Sequence, residues 1–360
     1  MFGGFPVVQP PDVARREAPS CDVGAVTTHI ATHRYDVVFL LSSPAHVIRA
    51  LAARRCGSVL VYDLVEDPLG SLINAPWRPY SPAFWRQLAV SVRDTWTWYR
   101  GGWPGPDLVT VISANLGRVA RRVVPEPRTA YLPILSHRMS SRACGRSPVD
   151  RHTIAYCGGL SFAKDGISTL LDSMAVVRAR HVPVGLEMFG HGLRSQQMRL
   201  EVGLRVRRLS SAVTWRGFVA PGELEVRLAR SAALVLCKSD NRQNRFNFAT
   251  RLIDYLSTAR PCILSRVGET ARYFRHGDNA LLFEAGDHRT LARLIEWVVH
   301  NPQEADGIGR RGRRLLGDAF DAVRRIAAVL PLVEERVRVR SSVNGNLVTR
   351  DFVGPQEVAR

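Results

Sequence analysis

"AALVLCKSDNRQNRFNFATRLIDYLSTARPCILS", residues 232–265, reads as an apolar strand, a polar loop, a helix and a second apolar strand in direct succession. The two apolar runs show no alternation, so both of their faces are buried, as in a parallel sheet. Parallel neighbours need a crossover between them, and the pattern predicts a helix over 248–259 to supply it. Leu252, Ile253 and Leu256 turn one side of that helix to the core and leave Arg251 and Asp254 a turn apart on another. The loop ahead of it, "CKSDNRQNRFNFAT", is polar and costly to order. At the carboxyl end of a strand such a loop usually binds something.

The same alternation runs outward in both directions. Strands are predicted at 153–159, 184–190, 212–218, 232–238 and 261–265, with helices at 166–180, 195–208 and 221–230 between them. Upstream, "YDVVFLLS" (35–42), "SVLVYDL" (58–64) and "DLVTVIS" (107–113) are strands among helical segments near 44–56, 82–99 and 114–123. Two βαβ series predict an α/β chain of two doubly wound, Rossmann-like domains facing across a cleft. Their bounds are 1–137 and 151–318, joined by the Ser- and Arg-rich stretch "SHRMSSRACGRSPVDR" (136–151). The segment 287–340 is helical in pattern, with breaks expected at Pro302 and Pro331. Its end, 319–340, is assigned to a helix returning to the first domain, and 341–360 to a loose tail.

With 360 residues, 46% hydrophobic and 23% charged, the chain is a two-domain globular protein rather than a disordered or fibrous one. Proline and arginine interrupt every candidate for a membrane span. The start, "MFGGFPVVQPPDVARRE", has no basic segment followed by an apolar run, so no secretory signal is expected. Cys21, Cys56, Cys144, Cys157, Cys237 and Cys262 are scattered, without zinc-site spacing or disulfide density. No metal site is expected, and a reducing cytoplasm is the expected home. The net charge of +18 comes almost wholly from arginine, lysine occurring only at Lys164 and Lys238. That suits a compositional bias, or a basic face resting at the inner side of an anionic membrane, better than a nucleic-acid interface, for which no binding module is present.

Ligands of doubly wound sheets collect beyond the carboxyl ends of the strands. At those ends stand Gly158 and Gly159, which permit close backbone approach, and Lys164, with Asp165 or Ser168 as candidate caps of the next helix. Gly217 and Phe218 follow the third strand of the second domain. Lys238, Arg245, Asn247, Phe248 and Thr250 flank the start of the 248–259 helix, whose end suits a diphosphate. Asp254 on its flank suits the paired hydroxyls of a ribose. The plain alternative is that Arg251 and Asp254 form an ordinary surface ion pair. Asp63, Glu66 and Asp67, in "VYDLVEDPLGS", are acids near the cleft on the first domain, placed to orient an acceptor or to cap their turn. The aromatic cluster 77–103, with Trp85, Trp96, Trp98, Arg86 and Arg93, suits a lipid interface or an acceptor groove, or, more simply, core residues on the sheet.

In order along the chain, "IAYCGGLSFAKDGISTLLDSM", "GLEMFGHG", "VTWRGFVAPGELEVRLARSAALVLCKS", "NFATRLIDYLSTARPCILS" and "VGETARYFRHGDNALLFEAGD" resemble the GT-B nucleotide-sugar transferases, specifically glycosyltransferase family 4. The resemblance implies an enzyme that takes a UDP-, GDP- or ADP-sugar in the second domain. It passes the sugar, with retention and no obligatory metal, to a glycan, lipid-linked or small-molecule acceptor held by the first, as in polysaccharide or cell-envelope biosynthesis. On it Lys164 matches the phosphate-loop cation, Gly217 and Phe218 line the base pocket, and Asp254 takes the place of the glutamate that grips the ribose. The family's preceding acid falls on Phe246, and Gly159 stands where an arginine is common. Only residues 1–34 precede "YDVV", fewer than the family's first strand and glycine loop occupy, and "FGGF" (2–5) has the glycines without a strand; this implies a shortened first domain. His29, His33 and His46 lie in that domain, and no motif selects a catalytic residue among them. A non-catalytic nucleotide- or glycan-binding relic of the fold and, on charge alone, a nucleic-acid-binding protein are the competing readings.

Overall fold

The computed structural model describes residue 32 and residues 35–41, 58–67, 82–99, 106–122, 128–136 and 148–343. The described part of the first domain is a parallel sheet of β1 (Val37–Leu40), β2 (Val59–Leu64), β3 (Leu108–Val111) and β4 (Thr129–Tyr131), in that spatial order. Helix α1 (Pro82–Tyr99) links β2 to β3, and α2 (Ala114–Ala120) links β3 to β4. The uninterrupted apolar runs follow from burial on two sides. Leu60, Tyr62, Val109 and Val111 pack toward Leu116 and Val119 of α2, while Val59, Val61, Leu108 and Ala130 meet the last helix of the chain on the other face.

The second domain is a six-stranded parallel sheet. Its strands are β5 (Asp150–Cys157), β6 (Gly185–Phe189), β7 (Val213–Gly217), β8 (Ser231–Leu236), β9 (Cys262–Ser265) and β10 (Leu281–Phe283), ordered β10-β9-β8-β5-β6-β7. Crossover helices are α3 (Ile167–Ala179), α4 (Arg194–Val206), α5 (Pro221–Arg230), α6 (Arg242–Phe246), α7 (Arg251–Ser257) and α8 (Thr270–Tyr273). The chain winds one way from β5 through β7 and the other way from β8 through β10. The order therefore reverses between β5 and β8, the point at which a doubly wound sheet opens a crevice at its carboxyl edge.

Three helices complete the described residues: α9 (His288–His300), α10 (Pro302–Asp318) and α11 (Ala322–Val343). Helix α11 leaves the second domain and lays Val329 and Val333 against the first sheet. Its start is fixed by Ser136, whose N–H donates to Phe320 O and whose carbonyl accepts from Ala322 N. Near its end the Arg340 guanidinium reaches the Ser58 carbonyl and Asp107. Pro331 lies inside this helix rather than breaking it. The lost N–H bond is a local cost, and Val329 and Val333, buried on either side of the proline, hold the helix to the sheet. Pro302 begins α10 at its first turn, where a proline N–H is not needed.

Two more expectations are corrected here. Trp85 and Trp96 are 52% and 59% exposed, so they are not core residues; among the described aromatic side chains of α1, Phe84 is buried. The helix expected over 248–259 is the seven-residue α7. Asn247 is extended and Phe248 is buried against Tyr273 and Phe320, which takes the chain out of helical geometry until Thr250. Among the described residues no helix is long and apolar enough to cross a membrane. "FGGF", the three histidines of the first domain, the helix near 44–56 and the tail from 344 lie outside the described residues.

Candidate active site

The candidate site lies where β5 and β8 end, at the reversal of strand order. After Cys157 the chain turns through Gly158, whose N–H donates to Phe189 O, and passes close under Gly190. Gly190 has a φ of 112°, and a Cβ there would run into the Gly158 carbonyl, so glycine is required. A Cβ on Gly159 would meet the Asp165 carboxylate at 2.7 Å. These glycines thus serve close packing of the chain's own loops. Asp165 does not cap α3, whose N-cap is Gly166 in a left-handed conformation (φ 60°). The buried Asp165 carboxylate instead accepts from Ser161 N–H and pairs with the Lys238 ammonium at 2.5 Å.

Of the chain's two lysines, then, Lys238 is engaged in neutralising a buried acid. Lys164 is half-buried on the same rim, and its ammonium makes no ion pair among the described residues. Its loop is held from behind: Asn244 Nδ2 donates to Lys164 O and Ser239 O, and Asn241 Nδ2 donates to Ala163 O. Asn241 and Asn244 are structural parts of the site that sequence reading left unassigned within the polar loop; only their place between Lys238 and the helix marked them.

At the start of α7, Thr250, Arg251 and Asp254 are exposed and Asn247 is half-buried. Arg251 and Asp254 form an ion pair at 3.1 Å with both side chains about half exposed (51% and 50%). Such a pair is worth under about 1 kcal/mol and opens readily to a ligand. Phe248 is buried in the core and offers a ligand only its backbone. Because α7 has seven residues, its dipole is smaller than a longer helix would supply, and the side chains carry the site's charge. Arg245 is exposed but grips Asp240 through Nε (2.5 Å) and a terminal nitrogen (2.7 Å), which holds the Asp240 carboxyl below its ordinary range. Gly217 has a φ of 68° with open space around it, and Phe218 beside it is 77% exposed at the same edge of the sheet.

The first domain meets this edge directly. The Arg242 guanidinium lies over the Phe246 ring and pairs with Asp67 at 2.5 Å, and Asp67 is buried. Asn115 Nδ2 donates to Arg245 O and Ser113 Oγ to Phe246 O, each at 2.6 Å. Phe246, at the position where the resembling family carries an acid, packs on the core of the first sheet. Glu269, 4% exposed, accepts from Ala114 N–H at 2.7 Å and from the Tyr131 hydroxyl at 2.8 Å. Asp63 accepts from Thr110 Oγ1 at 2.6 Å, and burial raises its carboxyl above the ordinary range despite that bond. Glu66 is exposed. The residues named from sequence thus lie on loops and a helix start at one edge, and among them the charges of Arg245, Lys238 and Asp67 are answered by protein partners.

Cys157 and Cys262 in strands and Cys237 just past the end of β8 are buried free thiols, with burial pushing Cys262 up to about 12. They act as small apolar side chains. No group of His, Cys, Asp and Glu suited to a metal occurs among the described residues. Two hollows, of about 700 Å³ beside Trp297 and Ile308 and about 330 Å³ beside Asp150 and Arg227, lie by the first residues of β10 and of β5 and β8. Neither holds a residue of the edge just described. The topology of the sheet, which gathers loops and helix starts at the carboxyl ends, favours that edge.

Residues 151–301 match the family model described as "Glycosyl transferases group 1". Among solved structures the chain is similar to HepE of Anabaena in complex with UDP-glucose, at a TM-score of 0.63 and 17% identity over 89% of this chain and 82% of that one. It is similar also to sucrose-phosphate synthase from Thermosynechococcus elongatus, at 0.62 and 18% over 90% and 77%, and to the pneumococcal O-GlcNAc transferase GtfA, at 0.60 and 12% over 88% and 60%. Comparison with curated proteins returns no match. The chain therefore carries a group 1 glycosyltransferase domain over residues 151–301, set in a two-sheet GT-B architecture, and is by that domain a glycosyltransferase.

Proposed function

We propose that the chain transfers a sugar from a nucleoside-diphosphate sugar, bound along the carboxyl edge of the second sheet, to a glycan or lipid-linked acceptor approached from the first domain. The observation that carries this reading is the convergence, at the β5/β8 reversal of a group 1 glycosyltransferase domain, of Lys164 and the exposed start of α7. Lys164 supplies a cation for the diphosphate. Asp254 leaves Arg251 to accept two hydrogen bonds from ribose hydroxyls, and Arg251 turns to the phosphates. Gly217 and Phe218 border the base, the exposed ring offering a stacking face.

No step requires a metal in this scheme. The chain's residues act by holding the donor and by stabilising charge on the departing diphosphate. Transfer with retention of anomeric configuration is part of the proposal, as is a location at the cytoplasmic face of a membrane. The HepE and GtfA structures, solved with UDP-glucose and with UDP and GlcNAc, support the donor class. A thermal-shift screen of UDP, GDP and ADP against the purified chain tests it: one of the three is expected to raise the melting temperature. Radiolabelled-donor hydrolysis or transfer then separates an enzyme from a binding relic, and the absence of both stabilisation and turnover sinks the proposal.

A further inference from the structure

Helix α4 carries an apolar stripe that the fold does not use. Met198, Val202 and Val206 follow one another at intervals of four, so they share one side of the helix. They are 59%, 57% and 75% exposed, while Leu200 and Gly203 form the buried side. Exposed arginines frame the stripe: Arg194 and Arg205 on the helix and Arg208 just past its end. Arg199 lies over the Phe162 ring, and Arg207 pairs with Asp172, so those two are turned toward the body of the domain. Glu201 is the one acid of the helix.

We infer that this face of α4 rests on an anionic lipid surface. A row of apolar side chains edged by guanidinium groups matches the boundary between acyl chains and anionic headgroups, where arginines reach the phosphates while Met and Val enter the apolar layer. The whole chain, at +18, is drawn to such a surface. A second copy of the chain is the poorer occupant, because a two-fold contact through the stripe would set Arg194, Arg205 and Arg208 against themselves. The placement has a consequence for the cleft. Helix α4 starts near the carboxyl end of β6, where Leu193 is also exposed, so the Met198 end of the stripe lies toward the edge that carries Phe218 and the Lys164 loop. An acceptor embedded in the bilayer would then reach the cleft without leaving the membrane. This consequence rests on the proposed function; the binding itself does not.

Vesicle flotation with the full-length chain tests the inference. The wild type is expected to float with phosphatidylglycerol-containing vesicles and not with pure phosphatidylcholine, and to be released by high salt. The variant Met198→Glu/Val202→Glu/Val206→Glu, altered only at exposed positions, is expected to lose at least tenfold in partitioning while keeping its circular dichroism and its nucleoside diphosphate affinity. Calorimetry of that affinity reports separately on the proposed function. Equal flotation of wild type and variant, loss produced instead by Trp85→Ser/Trp96→Ser on α1, or no binding to anionic vesicles overturns the assignment. So does light scattering that shows a dimer dispersed by the triple variant, which would give the stripe to a second copy.

Discussion

Asp63 stands at the end of a central strand, half-buried, with one hydrogen bond from Thr110 and a carboxyl raised by desolvation. A raised folded-state value means that the native state holds this proton more tightly than the unfolded chain does. The stabilisation is complete in acid, below the ordinary carboxylate range, and is lost as pH rises through the folded value. Asp63→Asn retains an acceptor for Thr110 and removes the charge. Urea denaturation should show the variant more stable than wild type near neutrality and the two converging in acid; a variant less stable at neutral pH would mean that the carboxylate is paired in solution. At this scale the sequence was informative about residue type and less so about pairing. Lys164, Lys238 and Asp67 lie on loops that follow strands, and Asp254 on the helix after one, as the sequence pattern implies. That Lys238 answers Asp165, and that Asp67 answers Arg242, depends on contacts between loops distant in sequence, which no local pattern encodes.

At the scale of elements, the loop after β8 belongs mechanically to both domains. Its short helix α6 is anchored to its own sheet by Asn244 and Asn241, and to the first domain by Arg242, Phe246 and two backbone carbonyls. Asp67 is the buried end of this linkage, and its second oxygen, Oδ1, has no hydrogen-bond partner among the described residues. Removing the arginine strands a buried carboxylate, so Arg242→Ala should destabilise the chain by about 2 kcal/mol, somewhat less than a fully buried pair because Arg242 is one-third exposed. Adding Asp67→Asn should recover most of the loss in equilibrium unfolding. A loss within error for the single variant would show that the two domains are not clamped here. The β-strands and most helices were legible because apolar runs of strand length and helical periodicity survive without tertiary knowledge. The start of α7 was not: "NFAT" has no helix-breaking residue, and only the burial of Phe248 between Tyr273 and Phe320 draws it out of the helix. Pro331 misled in the opposite sense, because packing of α11 on the first sheet outweighs one absent backbone bond.

For the whole molecule, one edge of one sheet is the proposed donor site and the facing domain its cover. Sheet order and the reversal between β5 and β8, within the matched group 1 glycosyltransferase domain, support that proposal. The two hollows at the opposite end of the strands do not contribute to it. What the site binds is thus the central claim, and isothermal titration calorimetry of UDP, GDP and ADP against the wild type and Asp254→Ala measures it most directly. The account predicts that one nucleoside diphosphate binds the wild type and that the variant binds it at least tenfold more weakly, about 1.4 kcal/mol. Unchanged affinity in the variant, or no binding of any of the three to the wild type, would contradict it.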